Sequence, residues 1–128
     1  MGTGSAQLLS KMAPHFASSY GVDASEGQIA AAKKAVQELP GVELAVWDCN
    51  EFSKYSQMKG HKGYDLIAFA ESFHWLDYDN VLAQCASLTP GVVAIIGYTI
   101  PRIESKSPLG DKFKEAIYNY EQTLLPYF

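Results

Sequence analysis

Apolar positions recur along this chain at two alternating spacings. Leu8, Leu9, Met12 and Phe16 share one face at helical spacing, which predicts a helix over 5–16. A short β-type run over 19–22 ends in Asp23. Ile29, Ala32, Val36 and Leu39 form the stripe of a second helix over 25–39, opened by the capping pattern Ser25-Glu-Gly-Gln28 and stopped by Pro40-Gly41. A strand over 42–47, a short helix over 51–58 and a turn-rich loop over 59–63 follow. The run over 64–70 is a nearly unbroken apolar strand, and 79–88 is a helix. After the Pro90-Gly91 turn comes a strand over 92–98, whose apolar stretch Val92 to Ile96 fits a buried position, then a loop over 101–108 and a helix over 109–125.

Continuous apolar strands separated by helices predict an α/β, Rossmann-like, doubly wound and mostly parallel sheet with helices on both faces. No repeat and no interdomain linker interrupts residues 1–128, so they read as one domain. Sheets of this kind bind ligands beyond the carboxyl ends of their strands. The residues there are Asp23, Asp48, the run from Glu71 to Trp75, and Tyr98.

Composition narrows the chemistry. The chain is 48% hydrophobic and 19% charged, a globular balance. Its net charge of −4 argues against nucleic acid or an acidic membrane surface as partner. Cys49 and Cys85 lie far apart, without metal-site spacing, so no metal and a reduced, cytoplasmic protein are expected. Neither a signal peptide nor a membrane-spanning run is seen.

The candidate ligand site begins at Gly2-Thr3-Gly4. Glycines before a helix allow close approach of backbone to ligand. Asp23 follows a strand at about the twenty-residue spacing at which an acidic residue reaches a ribose hydroxyl pair. Its alternative role is to cap the next helix. Asp48, at the next strand end, can accept from an adenine amino group or can serve the Asp48-Cys49-Asn50 turn. His74 can orient a substrate or accept a proton; its alternative is a packed first helical turn, with Trp75 as core. Tyr98 faces the substrate or packs, and His15 and His61 read as surface residues.

The ordered set Gly-Thr-Gly-Ser, Gly-Val-Asp-Ala-Ser, Trp-Asp-Cys-Asn, Tyr-Asp-Leu-Ile-Ala-Phe-Ala-Glu-Ser-Phe-His-Trp-Leu-Asp and Leu-Thr-Pro-Gly-Val resembles the class I S-adenosylmethionine-dependent methyltransferases of the type-11 group. The Glu71 to Trp75 run and the ending Leu-Leu-Pro-Tyr-Phe are similar to the fungal trans-aconitate methyltransferase branch. The resemblance implies S-adenosylmethionine as cofactor, with Gly2 and Gly4 in the cofactor loop, Asp23 on the ribose and Asp48 beside adenine. It places Ala24 and Cys49 against the adenine ring and Glu71 near the methionine part. His74 is the catalytic candidate, and Trp75 and Tyr98 the substrate-side candidates.

The pattern also departs from that family. The strand and first glycine that precede the loop, and the last two strands, have no counterpart in the chain, so a truncated core is expected. A partner chain or oligomer that supplies a strand is one way to complete it. Methyl transfer to a small-molecule carboxylate needs no general base, because the acceptor is already ionised. The competing expectations are an inactive binding remnant and a dinucleotide-binding unit. Against the latter, the third glycine of that loop is replaced by Gln7.

Overall fold

The computed structural model describes residues 1–97 and 107–124, in two compact units, Met1–Gly97 and Tyr98–Phe128. The first unit alternates α1 (Gln7–Met12), β1 (Ser19–Asp23), α2 (Glu26–Ala35), β2 (Val42–Val46), α3 (Phe52–Lys59), β3 (Leu66–Ala70), α4 (Tyr78–Leu88) and β4 (Val92–Ile96). The second unit carries α5 (Pro108–Leu124).

Local chemistry sets the element ends. The first helix is shorter than its apolar stripe predicts, because Pro14 lies in the 3-10 turn Ala13–His15 that follows it and a proline cannot donate to a continuing helix. At the start of α2 the Ser25 hydroxyl accepts the Gln28 N–H at 3.3 Å. The expected reciprocal bond from Gln28 is replaced: the Ser25 N–H donates to Asp23 Oδ1 at 2.9 Å. Asp77 caps α4 by accepting the Asn80 N–H at 3.2 Å. Gly60 closes α3 with φ 71°, a left-handed angle that favours glycine.

The strands pair in parallel, β1 with β2 from Ser19↔Val42 to Asp23↔Val46, and β3 with β4 from Leu66↔Val92 to Ala70↔Ile96. Helices alternating with parallel strands fit a Rossmann-like fold. Instead of the single sheet predicted, however, the described strands form two two-stranded sheets. Residues 1–3 tie their facing edges: the Thr3 N–H donates to the Val22 carbonyl at 2.9 Å, and Met1 N donates to the Ala68 carbonyl at 2.6 Å.

Core clusters flank both sheets. Ala6, Ala32 and Val36 pack with Leu9, Leu39, Val42 and Leu44 on one face of β1–β2. Val22, Cys49, Phe52 and Tyr55 form the other face. On β3, Ile67 and Phe69 pack against Val81 and Cys85 of α4. Phe69 is wholly buried, which is worth about 1.5–3 kcal/mol relative to an exposed ring. The buried position expected for the fourth strand is not found. Val92 and Ile95 are 59% and 52% exposed, because the core cluster that buries Ile67 and Phe69 against α4 does not extend to β4.

Candidate functional site

A cavity of about 700 Å³ runs along β1 and β3, from Ser19, Tyr20 and Leu66 at their starts to Asp23 and Ala70 at their carboxyl ends, where the turn over residues 2–5 borders it. That volume lies within the usual range of small-molecule sites. Gly2, Gly4, Asp23, Glu71 and Trp75 all line it, so five of the predicted residues come together. Ala24, Asp48, Cys49 and His74 are not among the lining residues. Tyr98 lies outside the described residues.

The glycine turn is built for close approach. Gly2 and Gly4 have φ 60° and 53°, left-handed values that glycine adopts without steric penalty. A Cβ on Gly2 would meet Ser72 Cβ at 2.5 Å. Gly4 is open, with nothing nearer than Gln28 Oε1 at 3.9 Å. The turn is pinned from below by three hydrogen bonds. The Gly2 N–H donates to Cys49 Sγ at 3.1 Å, the Ser72 hydroxyl to the Met1 carbonyl at 2.8 Å, and the Gly4 N–H to Asp23 Oδ2 at 2.8 Å.

Asp23 thus serves two backbone partners, Gly4 through Oδ2 and Ser25 through Oδ1. A carboxylate offers about four acceptor sites, so each oxygen keeps capacity for a ligand hydroxyl. The capping role and the ligand role weighed against each other from sequence coexist in one side chain. Glu71, across the cavity, has φ 52°, a left-handed conformation uncommon for a non-glycine residue and one that concentrates at binding sites.

The remaining candidates sit elsewhere. Asp48 is exposed and accepts from the Asn50 N–H at 2.8 Å and from Asn50 Nδ2 at 3.1 Å, which is its turn role. Cys49 is only 4% exposed and belongs to the core. Burial raises its thiol pKa above the ordinary value, only partly opposed by nearby positive charge and the Gly2 N–H. His74 is exposed in the 3-10 turn Phe73–Trp75, its ring 4.9 Å from that of Trp75. Trp75 is 75% exposed, so the core role expected for it is not realised.

The sequence reading gave no individual ligand role to two residues, Ser72 within the Glu71 to Trp75 run and Gln28 in the capping pattern. Ser72 and Gln28 line the cavity beside the glycine turn. Their signal was available, since one precedes His74 and the other was assigned only to a cap. His61, read as a surface residue, instead lines the cavity among aromatic rings. Its centroid lies 4.1 Å from Tyr20, and its Nδ1 is 2.6 Å from the Tyr64 hydroxyl. Among the described residues, no three His, Cys, Asp or Glu side chains group as a metal site, and no helix is long and apolar enough to cross a membrane.

A family model described as a methyltransferase domain, type 12, matches residues 1–92. The chain belongs to this methyltransferase-domain family. The match covers the glycine turn, Asp23, Asp48 and the Glu71 to Trp75 run, and supports the resemblance to class I S-adenosylmethionine-dependent methyltransferases. The motif set resembles the type-11 group, and both point to the methyltransferase domain itself. No curated protein matches the chain.

Proposed function

We propose that this methyltransferase domain binds S-adenosylmethionine and methylates a small molecule, with a carboxylic acid, as in the trans-aconitate branch it resembles, as the leading acceptor class. The observation that carries the reading is the convergence of Gly2, Gly4, Asp23 and Glu71 on one cavity at the strand ends. The residues present fit the cofactor. Open space at Gly4 leaves room for a close ligand. Asp23 keeps acceptor capacity for a ribose hydroxyl pair, and Glu71 supplies negative charge for a cationic ligand.

In this reading Asp23 and the turn of Gly2 and Gly4 hold the nucleoside and Glu71 faces the methionine part; the adenine contacts that the resemblance gives to Asp48 and Ala24 lie outside the cavity lining. Cys49 acts from beneath as a positioning residue, because its sulfur accepts the Gly2 N–H. The bound cofactor supplies an electrophilic methyl group. The chain's own part is to align and exclude water, which supplies much of the rate in a displacement whose opposite charges cancel. Trp75 offers an exposed ring at the cavity wall for the acceptor, and Tyr98 joins it on the sequence reading. His74 serves as a base only if the acceptor is not already ionised.

The free, buried cysteines suit a reducing, cytoplasmic compartment. A further strand between β1 and β3 belongs to the same proposal. A binding remnant without turnover is the second reading, favoured by the division into two small sheets. The test is transfer of labelled methyl from S-adenosylmethionine to a panel of small carboxylic acids. Base-labile methyl esters are the expected product. No transfer to any acid, amine or thiol by a chain that binds cofactor would favour the remnant.

A further inference from the structure

We propose that Asn50 is a positioning residue of the site: its side chain is a strut that holds the turn after β2, on the cofactor side, against the turn before α4, on the acceptor side. What the two sides do rests on the cofactor reading above. The strut itself stands outside the cavity, which Asn50 does not line.

Both ends of the side chain are fixed. Its Nδ2 donates to Asp48 Oδ1 at 3.1 Å, and its Oδ1 accepts the Asp77 N–H at 3.0 Å. The amide fits only one way round. Reversed, its NH2 would face the Asp77 N–H and its oxygen the Asp48 carboxylate. The backbone of Asn50 is held as well. Its N–H donates to the same Asp48 oxygen at 2.8 Å, and its carbonyl accepts from Asn80 Nδ2 at 2.9 Å and Gln84 Nε2 at 2.8 Å. Gln84 in turn accepts the Ser53 N–H at 2.7 Å, which caps α3 from a second helix where Glu51 provides no side-chain cap.

This network is more than packing needs. Gln84 stands on the core face of α4 with Val81 and Cys85, and all three are buried. An apolar residue there would serve the core, whereas a buried amide is destabilising unless its groups are bonded. Here Oε1 accepts from Ser53, and Nε2 donates to Asn50 and to Asn80 Oδ1. A satisfied polar network of this kind selects one arrangement of the elements it joins.

The arrangement selected sets the separation of two cavity walls. On one side Cys49 adjoins Asn50 and accepts the Gly2 N–H, and Gly2 lines the cavity. On the other, Trp75 lines the cavity, and Leu76, between Trp75 and Asp77, packs against the core clusters of both sheets. A displacement needs its two reactants aligned, and a misplacement of about 1 Å can lower the rate about 100-fold.

The test uses the full chain in a Trp47→Phe background, which leaves Trp75 as its single tryptophan. Asn50→Ala removes the strut but keeps the carbonyl that Asn80 and Gln84 hold, so the fold should survive. Asn80→Ala is the stability control, since it breaks a bond of the same network and leaves the strut. For each protein the urea midpoint and the ligand-free fluorescence anisotropy of Trp75 are measured, and S-adenosylhomocysteine is titrated calorimetrically. Asn50→Ala should lower the anisotropy and weaken binding at least about fivefold, the lower end of coupling between linked sites. Asn80→Ala should leave both as in the parent. Asn50→Asp, which keeps the acceptor for Asp77 but sets two carboxylates side by side, should retain the anisotropy and lose affinity. Parent-like anisotropy or affinity in a folded Asn50→Ala, or equal losses in Asn80→Ala, would overturn the proposal. A parent that binds no S-adenosylhomocysteine would count against the cofactor reading instead, and the ligand-free anisotropy would still decide whether the strut holds Trp75.

Discussion

At the scale of single residues, the site depends on a few positions whose conformation only one residue type tolerates. Gly2 combines a φ of 60° with a 2.5 Å approach to Ser72 Cβ. Gly2→Ala should lower stability by about 1–3 kcal/mol, read from urea denaturation; an unchanged midpoint would show that the turn is not held as described. Gly2, Gly4 and Asp23 were legible in the sequence because glycine spacing and a strand-end acid are local signals. The burial of Cys49 was not legible. Its neighbour Asp48 reads as a turn, and only the packing of Val22, Phe52 and Tyr55 around it puts the sulfur under Gly2. Trp75 failed in the opposite direction: a large apolar residue defaults to core in sequence reasoning, but here it stands three-quarters exposed.

At the scale of elements, caps and breakers decided where helices begin and end. The α4 start rests on Asp77, whose carboxylate accepts from Asn80 while its N–H donates to Asn50 Oδ1 at 3.0 Å. Asp77→Ala should cost about 0.5–2 kcal/mol, measured as a lower midpoint in denaturant. Asp77→Asn, which keeps an acceptor, should recover most of the loss. The elements over the described residues lie close to the periodicity-based prediction, with ends moved by Pro14 and by the caps of Ser25 and Asp77. What periodicity could not provide was the environment of β4. A run of Val and Ile looks the same whether or not a helix packs over it, and here the core cluster of β3 and α4 does not reach it.

At the scale of the whole chain, the family was legible and the sheet arrangement was not. Ordered motifs identify ancestry, whereas strand pairing depends on contacts between distant residues. The packing also sets a pH response. Burial raises the Tyr55 and Tyr64 hydroxyl pKa values above the ordinary tyrosine value, and the Glu43 bond adds to the rise at Tyr55. The unfolded chain therefore loses these protons first, from about pH 10, and the stability they contribute falls as pH rises beyond it. Denaturant midpoints should drop between about pH 9 and 11, and Tyr55→Phe should flatten the drop; equal slopes for both proteins would contradict the assignment. The central claim is that the cavity at the strand ends holds the methyl-donor cofactor, and calorimetric titration of the full chain with S-adenosylhomocysteine tests it most directly, with Asp23→Asn alongside. Saturable binding weakened at least tenfold by Asp23→Asn, about 1.4 kcal/mol, is the predicted result; a folded chain that does not bind, or that binds equally well with Asn at position 23, would contradict it.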